Sequence, residues 1–162
     1  MIRLSKNFTL AECARSSTAE RCGLENAPPA HLIPKIKAVA ENILQPVRDH
    51  YGKPIVFNGG LSWYRGPQLN SFLKGAEDSQ HCKGEAVDIE LPGVANLALA
   101  HWIKDNLVLD QLILEFYRED DPSAGWVHVS YVEEDRRNET LTIGRDKTGA
   151  RFTMSGLPFL SA

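Results

Sequence analysis

Two histidines and an aspartate, His81, Asp88 and His128, could bind a metal if the fold brings them together. His81 and Asp88 are seven residues apart, and His128 follows Asp88 by forty. In a helix, seven residues rise by about 10 Å, and in a straight strand an odd spacing turns two side chains to opposite faces. For His81 and Asp88 to share a metal, the chain must turn between them. Gly84 is the residue that permits such a turn.

Alternating residues give several polar side chains a common face. Three stretches alternate polar and apolar residues as half-buried strands do: residues 85–90, 111–116 and 126–132. This pattern places Asp88, Glu115 and His128 each on the polar face of its strand. It places Phe116 on the apolar face with the leucines of its strand. Antiparallel neighbours would gather the polar groups, and two imidazoles with one carboxylate form a set that catalytic zinc uses, with a fourth position open to water.

The rest of the hydrophobic pattern predicts helices first and strands afterwards. Thr9 and Glu12 form a capping-box pair that opens a short helix. Apolar residues at helical spacing predict the longest helix over residues 31–51, with Pro34 near its start and Pro46 as a late kink. Other helices are predicted near residue 17 and over residues 67–74 and 94–106. Other strands are predicted over residues 54–58 (with a break at 59–60), 139–143 and 151–154. This order indicates an α+β fold.

Length and charge limit the classes of protein that fit. The 162 residues suit a single domain. A net charge of −3, from 18 basic and 21 acidic residues, argues against a nucleic-acid partner. The charged run 133–137 is predicted to be a solvated turn. Without an apolar run of about 20 residues or a signal-like start, we expect synthesis in the cytoplasm and no stable membrane insertion. We also expect a monomer.

Three separated motifs resemble those of a known family. The spacing Ser-x-His-x-x-Gly-x-Ala-x-Asp at residues 79–88, followed by Trp-Val-His at 126–128, is similar to the motif pair of the zinc D-Ala-D-Ala carboxypeptidase family, peptidase M15. The small phage and bacterial branch that cleaves cell walls is the most similar, because residues 62–70 around Arg65 resemble its arginine segment. The resemblance covers roughly residues 30–132 of the single domain, 1–162.

The resemblance implies both a fold and an activity. The family fold, which hedgehog-like proteins share, packs helices on one side of a small, mostly antiparallel sheet that carries the metal site. One Zn²⁺ ion would be held by His81, Asp88 and His128. The reaction would be hydrolysis of a peptide bond in the stem peptides or cross-links of peptidoglycan. In relatives, the arginine that aligns with Arg65 helps to bind substrate, and Ser79 could orient a ligand or bond the substrate.

One position departs from the family pattern. Many members carry an acidic general base three residues before the last histidine, where this chain has Gly125. Glu115, on the neighbouring predicted strand and on the same face, is the expected replacement. Asp120 and Asp121 lie closer to His128 in sequence, but in a loop. A site with no acidic base is the third possibility.

Other functions stay open at this point. Cys82 could act as a fourth ligand and make the zinc structural. The protein could be a catalytically inactive zinc-binding member of the same fold, or a cytoplasmic dipeptidase that trims D-Ala-D-Ala. As a phage-type endolysin without a signal peptide, it would reach the wall through a lysis system or be carried in a virion.

Overall fold

Helices dominate the first part of the chain. The computed structural model describes residues 2–57 and 63–160. The α-helices are α1 (Leu10–Ala14), α2 (Ser17–Cys22), α3 (Ile33–Val39), α4 (Gln45–Tyr51), α5 (Pro67–Phe72) and α6 (Asn96–Asn106). The capping box is present, because the Thr9 side chain accepts a hydrogen bond from the Glu12 amide and the Glu12 carboxylate accepts one from the Thr9 amide. None of the described helices is long and apolar enough to cross a membrane.

The longest predicted helix is continuous but not uniform. A 3-10 turn (Ala30–Leu32) leads into α3, and a π-helical turn (Ala40–Leu44) joins α3 to α4. The Gln45 amide donates to the carbonyl of Ala40, five residues back. Pro46 has no amide hydrogen for the next bond, and the wider turn just before it accommodates this loss. The helix therefore passes Pro46 without ending.

Six strands form one sheet in the order β1-β2-β4-β3-β5-β6. They are β1 (Val56–Phe57), β2 (Ala86–Glu90), β3 (Gln111–Arg118), β4 (Trp126–Ser130), β5 (Glu139–Arg145) and β6 (Arg151–Ser155). Every neighbouring pair is antiparallel except β3 and β5, which are parallel. The α+β class with a mostly antiparallel sheet is thus confirmed. The predicted break at residues 59–60, Asn58 and Ser62 lie outside the described residues.

The sheet has one buried face and one face that carries polar side chains. The buried face contributes fully buried residues to the core beneath the helices: Val87, Ile89, Leu112, Leu114, Val127 and Val129. On the other face, His128 lies between Asp88 of β2 and Ile113 of β3, and Glu115 pairs with Trp126. The ladder therefore places Asp88, His128 and Glu115 on one surface, as the alternation predicts.

The prediction for Phe116 is wrong. β3 carries a bulge between Glu115 and Tyr117, and Phe116 takes a φ of 57° there. Tyr117 rather than Phe116 enters the core, and the Phe116 side chain is 55% exposed. Its ring lies 4.6 Å from that of Trp126. Strict alternation fails at this point because a bulge inserts one extra residue into the strand.

Candidate metal centre

Three buried side chains converge where β2 and β4 meet the turn that precedes β2. His128 Nδ1 lies 2.8 Å from Asp88 Oδ1, and His81 Nε2 lies 3.2 Å from the same oxygen. The two ring nitrogens are 3.2 Å apart. The candidate ligand atoms of the three residues all lie within 4.8 Å of one another. The structure thus brings together the three residues that the sequence singles out as ligands.

Different parts of the fold hold the three residues. Asp88 and His128 are directly opposite each other in the β2–β4 ladder, so the sheet fixes their common face. His81 instead lies in the turn at residues 81–84, where Gly84 has a φ of 70°. A Cβ at Gly84 would lie 2.8 Å from the Ile36 side chain of α3. A glycine is therefore needed at this position both for its backbone conformation and for the close approach of α3.

A backbone carbonyl sets the orientation of the His81 ring. His81 Nδ1 lies 2.9 Å from the carbonyl oxygen of Trp63. Because a carbonyl only accepts, Nδ1 carries the proton and donates, which leaves the lone pair of Nε2 directed at Asp88. The Arg65 amide donates to the carbonyl of His81 at 3.3 Å. The segment 63–65 therefore holds both the ring and the backbone of His81.

The electrostatics of the cluster favour a neutral imidazole beside a charged carboxylate. Burial lowers the pKa of His81, although Asp88 partly offsets this. Burial alone would raise the pKa of Asp88, but His81 and His128 hold it well below its usual range. Neutral histidine and ionised aspartate are the protonation states that bind a divalent cation.

The donor set fits one divalent cation of the zinc type. Two imidazole nitrogens and one carboxylate oxygen converge with their lone pairs, as in three-ligand catalytic zinc sites. Among the described residues, this cluster contains no cysteine. Cys82 lies next to His81 in the chain but does not belong to the cluster. A zinc ion held by these three residues would keep a fourth coordination position for water or substrate.

Glu115 lies beside the cluster. It lines the same groove, of about 1170 Å³, as His81 and His128. Burial raises the pKa of its carboxyl, the negative charge of Asp88 adds to this, and His128 and Arg65 oppose it. A carboxyl with a raised pKa is a better proton acceptor than an exposed glutamate.

The other candidate bases lie elsewhere. Asp120 is exposed and pairs with Arg118, with oxygen–nitrogen distances of 2.7 and 3.0 Å. Asp121 accepts a hydrogen bond from the Ser123 amide within the same loop. Gly125 ends this loop with a φ of 72°. Among the described residues that line the groove, Glu115 is the acid on the strand next to His128.

Arg65 and Ser79 both line the groove. Arg65 Nη2 lies 4.0 Å from Asp88 Oδ2, and its side chain is 16% exposed. Its Nε is buried without a hydrogen-bond partner among the described residues. Ser79 caps the turn, since its carbonyl accepts from the Cys82 amide at 3.0 Å. Both side chains are therefore near the cluster without belonging to it.

Asn26 is a residue that the sequence does not single out. Its side-chain amide donates to the carbonyls of Ala14 (2.8 Å) and Tyr64 (3.1 Å), and its Oδ1 accepts from the Gly66 amide at 2.7 Å. These bonds hold the backbone on both sides of Arg65. In the sequence, Asn26 is only part of a loop rich in proline, and no local signal reveals partners 38 to 40 residues away.

A family model described as Peptidase M15 matches residues 6–130. The matched range includes all three residues of the cluster, together with Arg65 and Glu115. No curated protein matches the chain.

Proposed function

The chain belongs to the peptidase M15 family, and we propose that it is a zinc peptidase that hydrolyses a peptide bond in the stem peptides or cross-links of peptidoglycan. M15 peptidases are zinc-dependent metallopeptidases, and the cluster of two histidines and one aspartate could hold such an ion. The family supports hydrolysis of a peptide bond. The cell-wall substrate rests on the resemblance of the three motifs to the branch that cleaves cell walls.

The convergence of three donors in one groove carries the proposal. His81 Nε2, Asp88 Oδ1 and His128 Nδ1 would hold the ion. Zinc in such a site supplies Lewis-acid activation of a water molecule and of the substrate carbonyl. The groove is large enough for several residues of a peptide, since small-molecule sites usually occupy about 300–1,000 Å³.

Glu115 is the proposed general base. Its carboxylate would accept a proton from the attacking water and return it to the leaving amine. The raised pKa of the buried carboxyl supports this role, because it brings the pKa closer to the pH at which the proton must move. Its place on the strand next to His128, in the same groove, supports this role.

Arg65 and Ser79 are the proposed substrate-binding residues. The Arg65 side chain lines the groove and is 16% exposed, and a guanidinium there could pair with a carboxylate of the stem peptide. Ser79 lines the same groove and could bond a polar atom of the peptide backbone. Asp88 lies close enough to hold Arg65 in place electrostatically.

The decisive experiment uses purified protein and isolated sacculi. The zinc-loaded protein should release soluble muropeptides, and mass spectrometry of these products would identify the cleaved bond. A chelator-treated sample and a Glu115→Gln variant are the controls, and both should release little. Cleavage of free D-Ala-D-Ala without release from sacculi would replace this proposal with a dipeptidase. A zinc-loaded protein that cleaves neither substrate would favour a non-catalytic zinc-binding role.

A further inference from the structure

A second cluster of polar side chains lies beside the metal centre. It consists of Gln80, Asp110, Ser130 and Arg137, and we call it the Asp110 cluster. Asp110 is only 2% exposed. Its Oδ2 accepts hydrogen bonds from Gln80 Nε2 at 2.9 Å and Ser130 Oγ at 3.0 Å, and Arg137 donates to both of its oxygens. The predicted solvated turn at 133–137 is therefore only partly solvated, because Arg137 reaches back to a buried carboxylate.

The cluster joins three segments that carry the site. Gln80 precedes His81, Ser130 follows His128 by two residues on β4, and Asp110 immediately precedes β3. Gln80 is held at both ends of its side-chain amide, because Arg137 Nη2 donates to its Oε1 at 2.6 Å. The Gln80 carbonyl also accepts a hydrogen bond from the Glu85 amide at 2.9 Å, which closes the turn around His81.

His81 needs such support more than the other two candidate ligands. Asp88 and His128 are fixed by backbone bonds of the β2–β4 ladder, whereas His81 lies in a turn. Trp63 orients its ring, but a turn without further anchors could shift as a unit by the fraction of an ångström that a metal site does not tolerate. The Asp110 cluster anchors the residue next to His81 to the sheet.

Burial of the Asp110 carboxylate makes its hydrogen bonds to Gln80 and Arg137 costly to break. Burial alone would raise the pKa of Asp110, but the hydrogen bonds from Arg137, Gln80 and Ser130 hold it well below its usual range. The carboxylate is therefore charged, and a buried charge is costly to separate from its partners. The bonds that fix Gln80 are thus stronger than those between neutral groups at the surface.

We propose that Arg137 and Gln80 are positioning residues that hold His81 in place for metal binding, with the carboxylate of Asp110 as their common anchor. The inference rests on the proposed function, because it takes the His81–Asp88–His128 cluster to be a metal site. It goes beyond that function in assigning a role to two residues outside that cluster.

The test measures Zn²⁺ affinity directly, by competition with a chromophoric chelator at neutral pH. We expect Gln80→Ala and Arg137→Ala each to weaken Zn²⁺ binding by about tenfold, at the lower end of the effect of residues that orient metal ligands. The double variant should bind Zn²⁺ with the same affinity as the single variant that binds it less tightly, because Arg137 acts through Gln80. Arg118→Ala is the matched control: it removes an exposed arginine–aspartate pair outside the groove and should leave the affinity unchanged.

A second measurement needs no metal. Hydrogen exchange of the metal-free protein should be faster in Gln80→Ala and Arg137→Ala at the amides of the turn, residues 82–85, with β4 still protected. Loss of protection across the whole sheet would indicate general unfolding and overturn the specific role.

The two experiments also separate this inference from the proposed function. Wild-type Zn²⁺ affinity in both variants, or losses of affinity that multiply in the double variant, would overturn the inference while the proposed function stands. A wild-type chain that binds no Zn²⁺ overturns both.

Discussion

The backbone of Glu115 occupies the space that a side chain at Gly125 would need. A Cβ at Gly125 would overlap the carbonyl oxygen of Glu115 and lie 2.9 Å from the carbonyl carbon of Phe116. The bulge after Glu115 brings this strand against the end of the loop. An acidic side chain at position 125 is therefore incompatible with the observed backbone position of Glu115.

Substitution of Gly125 should damage both stability and activity. Gly125→Ala forces a φ of 72° on a residue with a Cβ and pushes the bulge away, and we expect a loss of about 2–5 kcal/mol in the free energy of unfolding. Gly149→Ala is the matched control, because Gly149 also has a positive φ but nothing within 4 Å of its Cβ position. It should cost only about 1–2 kcal/mol. Denaturant unfolding compares the two, and equal losses would show that the contact with Glu115 is unimportant.

Zinc content should depend on the histidines of the cluster, and removal of a histidine elsewhere in the chain should not change it. His81→Ala and His128→Ala each remove one of three donors and should lose stoichiometric zinc after dialysis. His101→Ala is the control, because the His101 ring bonds to the carbonyl of Pro158 far from the cluster in sequence. Elemental analysis of the purified proteins gives the answer. Equal zinc in all three variants would contradict the assignment.

Glu115→Gln should separate catalysis from folding. Loss of the general base is expected to lower kcat by about 100-fold or more. Burial raises the pKa of Glu115, so its charged form opposes folding at neutral pH, and a neutral glutamine removes that penalty. With chelator present, the Tm of the variant should equal or exceed that of the wild type. A variant with normal kcat would show that Glu115 is not the general base.

Asn26 should affect substrate binding through the segment that carries Arg65. Asn26→Ala removes the hydrogen bonds to the Tyr64 carbonyl and from the Gly66 amide, at a cost of about 1–3 kcal/mol. We expect a KM several-fold higher, with zinc content unchanged. Asn106→Ala removes a single exposed bond within α6 and serves as the control. Steady-state kinetics on a soluble muropeptide would measure the change, and an unaltered KM would argue against this role.

The Asp110–Arg137 pair should contribute stability that depends on pH. Because the pKa of folded Asp110 lies below its unfolded value, the contribution is complete above the ordinary aspartate pKa of about 3.9 and disappears as the pH falls further. Arg137→Ala should therefore cost about 1–2 kcal/mol at neutral pH, and the difference from wild type should shrink in acid. Unfolding curves from pH 7 to pH 3 test this. A difference that does not change with pH would exclude the ion pair as its source.

Local patterns in the sequence predict the sheet face and the turn around His81. Asp88 and His128 alternate with valines and isoleucine, and these apolar neighbours are fully buried in the core. Gly84 has the positive φ that the turn requires. These features follow from side-chain alternation and backbone sterics, which act over a few residues.

The features that the sequence leaves hidden depend on contacts between distant segments. The bulge at Phe116 arises where β3 meets the loop that ends at Gly125, and the alternation of β3 alone does not reveal it. Arg137 is part of a charged run typical of solvent-exposed turns, and its partner Asp110 lies 27 residues earlier. Asn26 is similar, since its role depends on a segment 38 residues downstream.

The acceptor that orients His81 is the main-chain oxygen of Trp63 rather than a side chain. No amino-acid replacement at position 63 can delete that oxygen, so evolution can vary the residue there without removing the bond itself. The orientation of the His81 ring depends instead on the contacts that hold the backbone at Trp63 in place. One such contact is made by the Trp63 indole, which is fully buried and stacks on Phe57 with 5.9 Å between the ring centroids. Substitutions of buried apolar residues can therefore abolish activity even when every residue proposed to bind metal or substrate is unchanged.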